Sequence, residues 1–184
     1  MIRTDDQILE DLKLGRDAAF RELFDRYYMS LCLYSVQITD SFDLSEDIVQ
    51  DVFISFWEKG TYKQVKESLK HYLFYCVRNA SLASLKEKKM ILLDEVEQEA
   101  YSLPDEHTDE EELLKKQAVL LESLKQLPEQ CSLIFEEIVV HGKKYKEVAE
   151  ELHISVNSVK TQLSRALKRL RGSIDTIILF ILKK

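Results

Sequence analysis

From Asp17 onward the apolar residues Phe20, Leu23, Phe24, Tyr27, Leu31, Tyr34 and Ile38 advance around one helical face, so a single long amphipathic helix is predicted. A second helix is expected in DSFDLSEDIVQDVFISFWEKG, where Asp43 and Glu46 have the spacing of a capping box. There Ile48, Val49, Val52, Phe53, Phe56 and Trp57 alternate with a polar face of Glu46, Asp47, Gln50, Asp51 and Glu58. The stretch ESLKHYLFYCVRNASLASLKEKK continues the period, with Leu69, Tyr72, Leu73, Cys76, Val77 and Ala80 as a core stripe.

Helical patterning resumes in the last third of the chain. Pro128 suits the first position of a helix, since its missing N–H is no loss there. The apolar residues Leu133, Ile134, Phe135, Ile138 and Val139 carry that helix to about Val140, where His141 and Gly142 stop it. A short helix from about Tyr145 to Leu152 places Val148, Ala149 and Leu152 inward, and the small Ala149 leaves room for a closely crossing neighbour. HISV makes the turn, Ser155 is the expected N-cap, and Val159, Leu163, Leu167 and Leu170 recur at helical spacing beyond it. Two short helices, a tight turn and an amphipathic third element form a helix-turn-helix. Its outward side carries Asn157, Ser158, Lys160, Thr161, Ser164 and Arg165 at the leading end, where base edges are met. Lys168, Arg169 and Arg171 follow, placed to hold phosphates.

Composition sharpens the fold class. Only 4 Gly and 2 Pro accompany 32% charged residues, a mixture poor in turn formers and rich in helix formers. An all-α fold of two small helical domains joined by an acidic linker is expected, the C-terminal domain containing the helix-turn-helix. The cysteines Cys32, Cys76 and Cys131 are far apart on helix-like apolar faces, without metal-ligand spacing, so buried thiols are expected. The charged start MIRTDDQILED has no apolar core of a signal peptide, which favours a reducing cytoplasm. The apolar run in SIDTIILFILKK falls short of the roughly 20 residues needed to span a bilayer. It is read as closing turns folded onto the domain, with an exposed docking patch as the alternative.

The net charge of −7 conceals a pattern. Residues 1–61 carry 13 acidic and 6 basic residues, and residues 62–93 reverse this with 2 and 7. Residues 94–112 hold 10 acidic residues and no basic one, the composition of a linker. Residues 143–184 have 10 basic against 4 acidic residues. Both modules thus have a basic part suited to a polyanion. In the first, Tyr72, Phe74 and Tyr75 interleave with Lys70, Arg78, Asn79, Lys86, Lys88 and Lys89, which suits either stacking of unpaired bases or simple core packing. No nucleophile with a base, no Gly-rich phosphate loop and no metal-ligand cluster is legible, so neither an enzyme, a cofactor nor a small-molecule substrate is expected.

In order and spacing these segments resemble a bacterial RNA polymerase sigma-70 family factor of the extracytoplasmic-function (ECF) group. SEDIVQDVFISFWEK is similar to the family's polymerase-binding helix, and LKHYLFYCVRNASLASLKEKK to the segment that melts and reads the −10 element. LPEQCSLIFEEIVVHGKKYKEVAEELHISVNSVKTQLSRALKRLR is similar to the domain that reads the −35 element. The resemblance implies a region 2-like domain over 1–93, a linker over 94–112 and a region 4-like domain over 113–184. It implies that Asp47, Gln50 and Asp51 dock to the polymerase clamp helices. Arg78 and Asn79 would lie near a flipped −10 base, with Lys86, Lys88 and Lys89 on the adjacent backbone. Asn157, Ser158, Lys160, Thr161, Ser164 and Arg165 would enter the −35 major groove, and the acidic linker would thread toward the polymerase active-site channel. Core RNA polymerase and promoter DNA are the implied partners, with an anti-sigma factor as an inhibitory one. His153 stands where the motif commonly has glycine, and a second basic residue common near Ala83 is missing. Two other readings fit the patterning: a transcription regulator binding operator DNA by itself through residues 145–171, and a helical adaptor binding acidic proteins.

Overall fold

The computed structural model describes residues 3–65, 68–89 and 110–182, and every regular element among them is helical. The described residues fall into two compact units, one up to Lys89 and one from Glu110.

The first unit is built on four helices: α1 (Asp5–Lys13), α2 (Asp17–Thr39), α3 (Phe42–Glu58) and α4 (Leu69–Lys89). α2 is the long amphipathic helix expected from the sequence, and it buries Leu23, Tyr27, Leu31 and Tyr34 in the core of this unit, packing on α1, α3 and α4. Ring packing joins α2 to α3. Phe24 lies 4.9 Å from Phe53, Phe20 meets Phe53 edge-on at 6.0 Å, and Phe20 meets Trp57 at 4.9 Å. Such pairs stabilise by about 0.5–1.5 kcal/mol each beyond the area they bury. On the other side of α2, Tyr34 packs edge-on against Phe74 of α4 at 5.1 Å. The buried hydroxyls of Ser35 and Ser81 meet at 2.8 Å, so two small residues bring the backbones close without an unpaired polar group.

α1 does not stand out in the apolar pattern. It is a short helix held by a capping box, in which Thr4 Oγ1 accepts from Gln7 N–H and the Gln7 side chain accepts from Thr4 N–H. Ile8, Leu9 and Leu12 anchor it in the core, and Arg26 of α2 ties it down through Asp5 at 2.8 Å. α3 also begins earlier than the expected Asp43–Glu46 capping box. Ser41 is the N-cap, its hydroxyl accepting from Leu44 N–H, and Phe42 enters the core in the first turn. Glu46 is consequently not on the solvated face. It is 2% exposed and accepts a hydrogen bond from the Tyr28 hydroxyl at 3.1 Å.

The second unit contains α5 (Glu110–Lys125), α6 (Glu129–Phe135), α7 (Tyr145–Glu151), α8 (Val156–Arg169) and α9 (Ile174–Leu182). Of the 94–112 segment expected to be a linker, residues 94–109 lie outside the described residues, whereas Glu110–Glu112 begin α5. Acidic side chains suit a helix's first turn. Two of them also form i,i+4 pairs, Glu111 with Lys115 at 2.8 Å and Glu112 with Lys116 at 2.7 Å.

Pro128 is the residue before the first turn of α6, and α6 runs on into a π-helical turn over Glu136–Val140. Ile134, Phe135, Ile138 and Val139 are buried, and α6 packs against α8, which buries Val159, Leu163, Ala166 and Leu167. Gly142, at φ 69, turns the chain toward α7. Lys143 then fastens this corner, its ammonium 2.6 Å from Glu137 and 2.7 Å from Glu151. Those hydrogen bonds raise its pKa, Glu137 contributing most, and the same contact lowers that of Glu137.

The C-terminal tail is core on its inner side. α9 buries Ile174, Ile177, Ile178 and Leu179 and packs against α5, leaving Phe180 exposed. Cys32 and Cys131 are buried and Cys76 is half-buried, all three as free thiols. No described helix is long and apolar enough to cross a membrane.

Candidate nucleic-acid interface

In the second unit α7 and α8 pack on each other across the turn Leu152–Ser155. The turn rests on two residues. His153 has φ 54, the left-handed conformation for which glycine is commonest and which histidine tolerates better than most residues. Ser155 caps α8, its hydroxyl accepting from Ser158 N–H at 3.0 Å. Val159 and Leu163 are fully buried below, which fixes the rotation of α8 and turns its polar face outward.

That face presents Asn157, Ser158, Thr161, Ser164 and Arg165, all exposed, followed by exposed Lys168, Arg169 and Arg171. Some of these side chains already have local partners. The Ser158 and Ser155 hydroxyls lie 2.9 Å apart, and the Thr161 hydroxyl donates to the Asn157 carbonyl at 2.8 Å. Arg169 reaches the Gln126 carbonyl at 3.5 Å, the limit of a hydrogen bond. Asn157 lies about two helical turns before Ser164 and Arg165 on the same exposed face, and Arg165 supplies the planar donor fork that matches guanine O6 and N7.

Lys160 differs from this set. It is half-buried, with its ammonium 5.4 Å from the centre of the Tyr145 ring. Tyr145 opens α7, so this contact bridges the two helices of the motif. The role of Tyr145 is not visible in the sequence, where it is only the first residue of a helix. Val156 is also unflagged by the pattern; it is 38% exposed beside Asn157 and offers methyl groups of the kind that pack on thymine C5-methyl.

In the first unit, α4 turns His71, Tyr75, Asn79 and Lys86 to solvent, with Arg78 half-buried beside them. The structure sorts the three interleaved aromatics. Phe74 is core at 1% exposure, Tyr72 is half-buried near Phe56 at 5.9 Å, and Tyr75 is 64% exposed. Tyr75 is therefore the ring free to stack on a base, one turn before Asn79. The backbone of Lys88 and Lys89 is helical, and their side chains lie outside the described set.

On α3, Asp47, Gln50 and Asp51 are exposed along one stripe. Ile54, 52% exposed, continues it, an apolar residue that the helical period places on the polar face. Gln50 Nε2 donates to the Tyr28 hydroxyl at 3.3 Å. Among the described residues no group of three or more His, Cys, Asp or Glu side chains is placed to hold a metal ion.

Comparison with known proteins agrees with this geometry. Residues 117–170, from α5 to the end of α8, match the family model for sigma-70, region 4. Over 156 residues, 84% of this chain and 86% of the relative, the sequence is 24% identical to the ECF RNA polymerase sigma factor RpoE of Cereibacter sphaeroides.

Proposed function

We propose that this chain, a sigma-70 family factor of the ECF group, binds core RNA polymerase and directs initiation at promoters whose −10 and −35 elements it reads. It is a transcription initiation factor, not an enzyme. The observation that carries the finer reading is the capped α8, whose apolar side is locked into the domain while Asn157, Ser164 and Arg165 face outward within the matched region.

In this reading residues 1–93 act as the region 2-like domain and 113–184 as the region 4-like domain. Asp47, Gln50 and Asp51 dock on core polymerase, and the acidic residues 94–109 connect the two domains, Glu110–Glu112 belonging to α5. Arg78, Asn79, Lys86, Lys88 and Lys89 engage the −10 strand, with Tyr75 added as a stacking platform. Asn157, Ser158, Thr161, Ser164 and Arg165 face bases of the −35 element, while Lys168 and Arg169 hold its phosphates. Lys160, drawn over Tyr145, serves the backbone near the α7 end. The protein works in the cytoplasm, with an anti-sigma factor as a further partner. Because polymerase joins two modest DNA contacts into one complex, neither needs high affinity alone, and the free protein binds promoter weakly.

Run-off transcription from a promoter library, with core polymerase with and without this protein, tests the reading. Discrete starts that need both components are expected. DNA binding by the protein alone with no stimulation would replace the reading with an operator-binding regulator, and partner binding that ignores salt with no DNA affinity would favour an adaptor.

Two substitutions on α8 separate base reading from phosphate holding. Arg165→Ala is expected to lose about 1–3 kcal/mol at the preferred −35 sequence and little elsewhere, flattening discrimination. Lys168→Ala should weaken binding about equally on all sequences and lower the salt slope by about one. Holoenzyme titrations on matched and mutated −35 elements read both, and undiminished discrimination by Arg165→Ala would remove it from the base-reading set.

A further inference from the structure

The hydrogen bond between Glu46 and Tyr28 has a feature that core packing alone does not require: it continues outward. Tyr28 lies on α2, half-buried, its ring stacked on Phe24 at 4.6 Å and 23°. The hydroxyl donates inward to the buried Glu46 carboxylate at 3.1 Å and accepts from the exposed Gln50 amide at 3.3 Å. A phenol has one proton, so donation to Glu46 leaves the oxygen lone pairs facing Gln50. Burial raises the Tyr28 pKa, with Cys32 and Glu46 adding to the effect, so the hydroxyl keeps that proton at any physiological pH. Glu46 and Gln50 are four residues apart on α3, on one side of the helix, and Tyr28 approaches from a different helix.

We infer that Tyr28 and Glu46 are positioning residues: the chain Glu46–Tyr28–Gln50 holds the Gln50 side chain in one orientation on the α3 face. This rests on the reading of that face as the polymerase-docking surface. A free glutamine on a helix samples many rotamers, and ordering it on binding costs conformational entropy. A glutamine already held by Tyr28 avoids most of that cost, and its carbonyl oxygen stays available to a donor on the partner. Asp47 and Asp51 supply charge to the same face, whereas the oriented amide supplies direction.

The test is a double-mutant cycle on the affinity of the full chain for core polymerase, using Tyr28→Phe and Gln50→Ala. Tyr28→Phe keeps the ring stacked on Phe24 and removes only the hydroxyl. It is expected to weaken binding about 2- to 10-fold, the range of one hydrogen bond, and to add nothing further in the Gln50→Ala background. Glu46→Gln, which keeps an acceptor for Tyr28, should bind nearly as the parent does. Thermal melting of each variant separates positioning from folding, because a purely structural Tyr28 would lower the midpoint without coupling to Gln50. Losses that simply add would overturn the inference, as would a Tyr28→Phe variant that binds normally while Gln50→Ala does not. If Gln50→Ala binds normally but Asp51→Arg fails, the inference falls and the docking face stands. If all of them bind normally, the docking face falls as well.

Discussion

Deleting residues 174–184 is expected to unfold the second unit at temperatures where the full chain is intact. The deletion removes Ile174, Ile177, Ile178 and Leu179, each less than a tenth exposed. Burying one such side chain stabilises by about 1.5–3 kcal/mol, so the four together amount to roughly 6–12 kcal/mol as an upper bound. A domain has only about 5–15 kcal/mol in hand. The inner face of α5, including Leu120 and Leu124, would lose its cover at the same time, since both line the apolar groove that α9 borders. Hydrogen exchange in α8 is the sharpest readout: its amides should lose protection together as DNA binding is lost. Unchanged protection and melting, with binding of some partner altered, would make α9 an appended docking segment instead of core.

That result would show why the tail is ambiguous in sequence. SIDTIILFILKK is apolar nearly all round, so periodicity cannot say which side faces inward, and only the meeting with α5 decides it. Where one face is apolar and the other polar, the sequence is read easily. α2 starts at the expected Asp17, α8 takes its cap from Ser155, and His153 takes the positive φ of the turn. Each of these is a local matter, decided within a few residues. Glu46 is different: the spacing of Phe42, Val49 and Phe53 puts it on the buried side of α3, but a carboxylate is read as solvated unless its partner is known. Its partner lies 18 residues upstream on another helix. Lys160 likewise belongs to the polar face by period, yet Tyr145 draws it aside. Tyr75 and Phe74 are adjacent aromatics with opposite fates, set by a rotation of about 100° that charge interleaving does not register. Local rules therefore recover elements and caps, while the orientation of single side chains depends on contacts between helices.

Asp51→Arg should abolish assembly with core polymerase at concentrations where the parent chain assembles fully. Asp51 is exposed in the middle of α3, beside Gln50 and one turn from Asp47, on the stripe assigned to docking. The substitution changes the charge there by two units, so that on the proposed docking reading an acidic contact with the partner becomes a basic one. Close charge pairs across interfaces couple by about 1.5–7 kcal/mol. A loss of about 2–4 kcal/mol is expected here, roughly 30- to 1000-fold in affinity. The fold should not register it. Surface substitutions usually change stability by less than about 0.5 kcal/mol. An arginine at position 51 would moreover sit four residues after Asp47, where the pair supports the helix. Melting of the variant should therefore match the parent while holoenzyme formation, measured by co-migration or by fluorescence titration, fails. Raising salt should weaken the parent complex and narrow the gap between the two, as screening removes both the attraction and the repulsion. A variant that assembles normally at low salt would move the docking surface off α3, and with it the assignments of Asp47, Gln50 and Asp51.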